Sequence, residues 1–114
     1  MIVMEILGDP WVCLADVRGR QRHQEGLRQK IHAFLATLHQ RGIVHGDLRD
    51  TNILVQQPDF EKFMLIDFDW AGLESEVKYP KFINTLVTRP LEARDCEPII
   101  AAHDLFMLEN MFAP

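Results

Sequence analysis

Two short apolar runs in this chain each lead into polar residues able to do chemistry together. Ile43-Val44 runs into His45-Gly46-Asp47-Leu48-Arg49-Asp50-Thr51-Asn52, and Phe63-Met64-Leu65-Ile66 runs into Asp67-Phe68-Asp69-Trp70. Strands fix position, and loops leaving paired strands can turn Asp47, Asn52 and Asp67 toward a common point. Asn52 and Asp67 are oxygen donors that suit a hard cation such as magnesium, which takes a few protein oxygens and fills the rest with phosphates and water. Asp47 would then be free to accept a proton from an incoming hydroxyl. Arg49 would set a fixed positive charge beside a transferring phosphoryl group.

Plainer readings stand beside these. The three polar residues could simply cap strand ends, and Arg49 could pair with Asp50 at the surface. His45 suits packing beneath the loop better than service as a base. Asp69 is either a third carboxylate on the metal side, by strand alternation with Asp67, or a turn former. His32 and His39 lie seven apart on one helical face with no cysteine nearby, which favours a solvated or core-edge place over a metal site. Ser75, Thr85 and Thr88 read as ordinary exposed hydroxyls.

The elements that must position this set follow from periodicity. Ile2 to Leu7 reads as an extended segment ended by Gly8-Asp9-Pro10. Trp11 to Gly19 shows no clear period. From there to Arg41, Leu27, Ile31, Phe34, Leu35 and Leu38 recur at steps of three and four, which predicts a helix stopped at Gly42. Ile43-Val44, Ile53-Leu54-Val55 and Phe63-Met64-Leu65-Ile66 predict short strands, with Pro58-Asp59 in the connection between the last two. The last two are nearly all apolar, which implies cover on both faces. Residues 71–95 are the least regular. A second helix is expected with Pro98 in its first turn and Ile100, Met107, Leu108 and Met111 on one side. Asp104 shares that apolar face, where a carboxylate must accept hydrogen bonds.

Length and composition bound the rest. At 114 residues and 47% hydrophobic, one domain is expected. A formal charge of -5 argues against a nucleic-acid binder, which needs a basic face. Two distant cysteines, Cys13 and Cys96, make neither a disulfide framework nor a CxxC site, which favours a reducing compartment. No apolar run reaches the length of a membrane span and no leader is legible, so a cytoplasmic or nuclear place is expected.

The spacing of these residues resembles the protein-kinase superfamily. His45-Gly46-Asp47-Leu48-Arg49-Asp50-Thr51-Asn52, followed by the apolar pair Ile53-Leu54, resembles the catalytic loop H-R-D-L-x-x-x-N, and Asp67-Phe68-Asp69 resembles the D-F-G metal motif downstream. Val3-Met4-Glu5-Ile6-Leu7 is similar to the strand that becomes the hinge between kinase lobes. With Tyr79-Pro80, the wording is nearest to fungal kinase-like proteins.

The resemblance implies an α+β, mainly α fold: a large lobe with short strands around the catalytic loop and the small lobe missing. Residues 1–8 would be the hinge strand and 9–114 the large lobe through its central helix. It implies ATP as co-substrate, Mg2+ as cofactor, and transfer of the γ-phosphoryl group to a hydroxyl. Asp47 and Arg49 would act on the reacting groups, and Asn52 and Asp67 would hold metal. Met4, Glu5, Leu7 and Leu54 would lie against the nucleotide, with His45 and Asp104 supporting the loop. Asp104 would accept N–H groups of that loop.

The departures are equally specific. Gly46 stands where many protein kinases carry an arginine that clamps a phosphorylated segment, and Asp69 stands in place of the motif's glycine. No Ala-Pro-Glu triplet follows. No Gly-rich phosphate loop or strand lysine precedes Glu5, so weak or silent catalysis by these residues alone is expected, with a partner covering the missing face. Serine or threonine on a protein is the first expectation for the acceptor. His-Gly-Asp also occurs in small-molecule kinases resembling aminoglycoside or choline phosphotransferases, and a non-catalytic, pseudokinase-like interaction module is the third reading.

Overall fold

The computed structural model describes residues 11–17, 21–56 and 62–113, and for 21–24 the backbone alone. The extended segment expected at Ile2 to Leu7, with Met4, Glu5 and Leu7, lies outside the described residues, as does Pro58-Asp59.

In chain order the elements are β1 (Trp11–Cys13), a 3-10 turn (Leu14–Asp16), α1 (Gln21–Gln40), β2 (Ile43–Val44), a second 3-10 turn (Asp50–Asn52), β3 (Ile53–Gln56), β4 (Phe63–Leu65), β5 (Gly72–Leu73) and α2 (Ala101–Met111). The α+β expectation holds, and among the described residues the two helices contain more residues than the five strands.

The apolar stripe of α1 does what its period requires: Leu27, Ile31 and Leu35, one turn apart, are buried. Phe34 departs from the expectation. It lies at the edge of the stripe, 41% exposed, and meets Phe63 edge-on with ring centroids 5.9 Å apart. The helix stops where Gly42 takes φ 73 and donates its N–H to the His39 carbonyl at 2.9 Å.

Strands β1, β3 and β4 form one antiparallel sheet with β3 in the middle. Val12 pairs with Val55, and Leu54 pairs with Met64. Central placement explains why Ile53, Leu54 and Val55 are all buried despite the alternation of a strand. β1 was not expected: Trp11-Val12-Cys13 is too short to show a period, and partnership with β3 creates it. Strand β4 ends at Leu65, one residue earlier than its apolar run.

A second, two-stranded pairing joins β2 to β5, with Val44 opposite Gly72. Residues 74–100 otherwise fold back on themselves. Lys78 bridges Pro98, Cys96 N–H donates to the Tyr79 carbonyl at 2.9 Å, and the Asp95 carboxylate accepts the N–H groups of Phe82 and Ile83.

The second helix begins later than its composition suggests. Pro98 sits in the bridge with Lys78, and Ile100 is extended at φ -121. The helix starts at Ala101, whose N–H donates to the Glu74 carboxylate at 2.6 Å. An acid at a helix N-terminus satisfies an orphan donor and the dipole together. Ile100 is therefore half-exposed, while Ile99 is buried.

Two apolar clusters result. The larger joins α1, the three-stranded sheet and α2 through Leu27, Ile31, Leu35, Leu48, Ile53 and Leu108. The smaller holds Val44, Tyr79, Ala93 and Ile99, with Trp70 packed against it. No helix among the described residues is long and apolar enough to cross a membrane.

Candidate active site

The loop from His45 to Asn52 is suspended from α2. Asp104 is 1% exposed; its Oδ2 accepts the His45 N–H at 2.8 Å and its Oδ1 accepts the Gly46 N–H at 3.0 Å. His39, from the end of α1, brings Nε2 to 3.0 Å from Oδ2 and donates there. A carboxylate buried among apolar neighbours thus meets three donors, the condition for its burial to be tolerated.

His45 is fully buried and fixes the loop to the residue that follows β4. Its Nδ1 accepts the Asp47 N–H at 3.2 Å, which leaves Nε2 to donate to the Ile66 carbonyl at 3.0 Å. Its ring also packs on Phe68 at 4.9 Å. Ile66 N–H in turn donates to the Asn52 carbonyl at 2.9 Å. The residue preceding Asp67 is therefore tied to both ends of the His45–Asn52 loop.

Gly46 has φ 90, and a Cβ there would meet Ile99 Cδ1, Trp70 Cβ and the Trp70 carbonyl at 3.1 Å each. The position needs a glycine for backbone and for space. Its reading as a lost phosphate-clamping arginine misses this, because Trp70 approaches only in the folded chain.

Asp47 is 5% exposed and is surrounded by donors. Arg89 Nη2 donates to Oδ1 at 2.9 Å. Arg49 Nε lies 3.0 Å from Oδ1 as an ion pair, and Arg49 Nη2 donates to Oδ2 at 3.3 Å. Asn52 Nδ2 donates to the Asp47 carbonyl at 2.8 Å and reaches Oδ2 at 3.4 Å. Oδ1 is thus held by two guanidinium groups and Oδ2 only by long contacts. Arg49 pairs with Asp47 and not with Asp50, the alternative its sequence position left open.

Arg89 has no local signal in the sequence beyond being the one cation in Leu86-Val87-Thr88-Arg89-Pro90. Its side chain is 6% exposed, and its Cζ lies 5.1 Å from the centroid of the Trp70 ring. Nε and Nη1 of Arg89 are buried without a hydrogen-bond partner. A buried donor left unpaired costs about 1–3 kcal/mol, more when charged. His39 was likewise not expected to bear on the site.

Asp67 is exposed, at φ 59, a left-handed conformation uncommon for a residue with a side chain. Asp69 lies in the turn that Ala71 N–H closes onto the Phe68 carbonyl at 3.0 Å, in keeping with the turn-forming role. Among the described residues no three His, Cys, Asp or Glu side chains gather as a metal site. The donor chemistry nonetheless fits one magnesium ion. The Asn52 amide nitrogen is committed to Asp47, so its amide oxygen is the atom of that side chain that could serve as a ligand, and Asp67, an exposed carboxylate, follows Ile66, whose N–H donates to the Asn52 carbonyl. Leu54 is buried in the central strand.

A loop of this wording, hung from a helix carboxylate and followed by the Asp67-Phe68-Asp69 turn, belongs to a kinase-like phosphotransferase. The sequence model of the lipopolysaccharide kinase (Kdo/WaaP) family matches residues 1–82, so the chain belongs to that family. The match takes in both motifs and ends before Arg89 and Asp104. Its placement is narrower than the protein-kinase resemblance and gives no support to the fungal wording. No curated protein matches the chain.

Proposed function

We propose that this chain carries the catalytic face of an ATP-dependent phosphotransferase acting on a hydroxyl of a small, saccharide-type molecule. The family description names lipopolysaccharide, which favours the small-molecule alternative over a serine or threonine on a protein. The observation that carries the reading is the buried Asp47 carboxylate, clamped on one oxygen and loosely held on the other.

In this reading the acceptor hydroxyl donates its proton to Asp47 Oδ2 as its oxygen forms a bond to the γ-phosphorus, and the bond from that phosphorus to the ADP oxygen breaks. Arg49 and Arg89 hold the carboxylate in place, and Arg49, the more exposed of the two, also offsets charge on the moving group. Asn52 and Asp67 would hold magnesium, which neutralises phosphate charge when bound. Asp104 and His45 fix the backbone that aims Asp47.

The test is a thermal shift with Mg-ATP, together with γ-phosphoryl transfer to saccharide and to protein acceptors. A magnesium-dependent shift that Asp67→Ala abolishes, with label entering the saccharide, is expected. Absence of any Mg-ATP shift in the native protein would refute the reading, and label appearing on protein alone would return the acceptor to serine or threonine.

A further inference from the structure

We infer that Trp70 is a positioning residue for the proposed phosphoryl transfer, acting on Asp47 through the guanidinium of Arg89. The inference rests on the phosphotransferase reading and adds to it the group that aims the carboxylate.

The two arginine partners of Asp47 do different work. Arg49 touches both carboxylate oxygens, Oδ1 at 3.0 Å and Oδ2 at 3.3 Å, and its side chain is 32% exposed. Arg89 touches Oδ1, at 2.9 Å, and its side chain is 6% exposed. Arg89 therefore makes the two oxygens unequal: it anchors Oδ1 and leaves Oδ2, with its longer contacts, to meet a hydroxyl.

One nitrogen, Nη2, ties Arg89 to an acceptor, because Nε and Nη1 are buried without a hydrogen-bond partner. The indole of Trp70 supplies the second hold. Its ring lies under the guanidinium, 5.1 Å from centroid to Cζ, a cation–π contact that gains strength where water is excluded.

Trp70 is itself fixed at root and ring. Its Cβ and carbonyl oxygen stand so close to Gly46 that a Cβ there would meet each at 3.1 Å. Its ring meets Tyr79 edge-on, with centroids 5.9 Å apart. Tyr79 is buried, and its hydroxyl lies 3.0 Å from Nδ1 of His103 on α2. A row of side chains thus runs from α2 through Tyr79, Trp70 and Arg89 to Asp47. His103 is the chain neighbour of Asp104, so one turn of α2 supports Asp47 twice. Asp104 holds the backbone of its loop, and the row from His103 sets the cation on its carboxylate. An aliphatic residue at 70 would fill space but offer no π face, and the guanidinium would lose that hold on its place beside Oδ1.

The experiment measures phosphate release from Mg-ATP by the full chain, with water as the acceptor. The variants are Trp70→Leu, Trp70→Phe, Arg89→Gln, and Trp70→Leu combined with Arg89→Gln. Trp70→Leu should lower kcat by about ten- to a hundredfold, the cost of a misplaced group, with KM for ATP nearly unchanged. Trp70→Phe keeps an aromatic face and should recover much of that loss. Added to Arg89→Gln, Trp70→Leu should cost nothing further, because the group it acts through is already gone. A urea-denaturation cycle of Trp70→Leu with Asp47→Asn reads the same link without turnover: coupled in the native chain, additive in the Arg89→Gln background. Should Trp70→Leu fail to fold, Trp70→Phe carries both cycles with a smaller effect. Losses of kcat that add, a change confined to KM, or a denaturation cycle with no coupling would overturn the proposal. Coupled denaturation in a chain that neither releases phosphate nor shifts with Mg-ATP would instead refute the phosphotransferase reading, and leave Trp70 as the holder of Arg89 alone.

Discussion

Asp104 Oδ2 accepts the backbone N–H of His45 at 2.8 Å across fifty-nine positions of sequence. The second helix thereby sets the height of the His45–Asn52 loop, and the carboxylate is as much part of the loop as the residues in it. Replacing Asp104 by Ala strips two backbone N–H groups and His39 of their acceptor at once. A loss of about 3–5 kcal/mol in stability is expected, as for breaking a buried charged network, measured by urea denaturation. Asp104→Asn should fall between, because one amide edge would present a donor to donors.

Asp47→Asn separates chemistry from binding. Phosphoryl transfer should drop by about 10²–10⁴-fold while the Mg-ATP thermal shift persists, since in the proposed reaction the lost group handles the proton and not the nucleotide. The same variant should also melt at a lower temperature, because Arg49 and Arg89 would lose the one carboxylate they share. A variant as stable as the native chain would show that the arginines are not held by charge.

Gly46→Ala and Gly42→Ala make a matched pair. Both positions have positive φ, 90 and 73, but a Cβ at 42 meets nothing within 4 Å whereas one at 46 meets three atoms at 3.1 Å. The strain of a left-handed residue, about 1–2 kcal/mol, applies to each. Only Gly46→Ala should lose more than that, by pushing Trp70 away. Denaturation midpoints of the two variants read the difference.

How much of this was legible beforehand follows from the range of each interaction. Leu27, Ile31 and Leu35 reveal α1 because a helix repeats within one turn, and His45 to Asn52 with Asp67 reveal the reaction class because their order is itself a motif. Trp11-Val12-Cys13 is a strand only because β3 lies beside it. The start of α2 at Ala101 is decided by Glu74, twenty-seven positions earlier. Arg89 reaches Asp47 across forty-two positions from an irregular segment, so neither period nor spacing could mark it. Even Gly46, conspicuous by type, owes its necessity to Trp70.

Acid should loosen the fold through His103. Its side chain is buried, and burial holds its pKa below the ordinary 6.5, while Tyr79, whose hydroxyl lies 3.0 Å from Nδ1, is pushed up to about 12 by burial. The unfolded chain therefore binds a proton first as pH falls. Stability should be level above pH 6.5 and decline as the solution is acidified below it, through the lowered folded value. His103→Gln should flatten that part of a plot of melting temperature against pH, with Tyr79 neutral throughout.

Val44 packs in the smaller apolar cluster and Leu48 in the larger, with Asp47 one residue from the latter. The Asp47 carboxylate thus rides on a seam, welded to one packing unit at each side. Warming that frees either unit would let the seam gape and misaim Asp47 while most helix remained, so inactivation would be an early gauge of damage and loss of helical signal a late one.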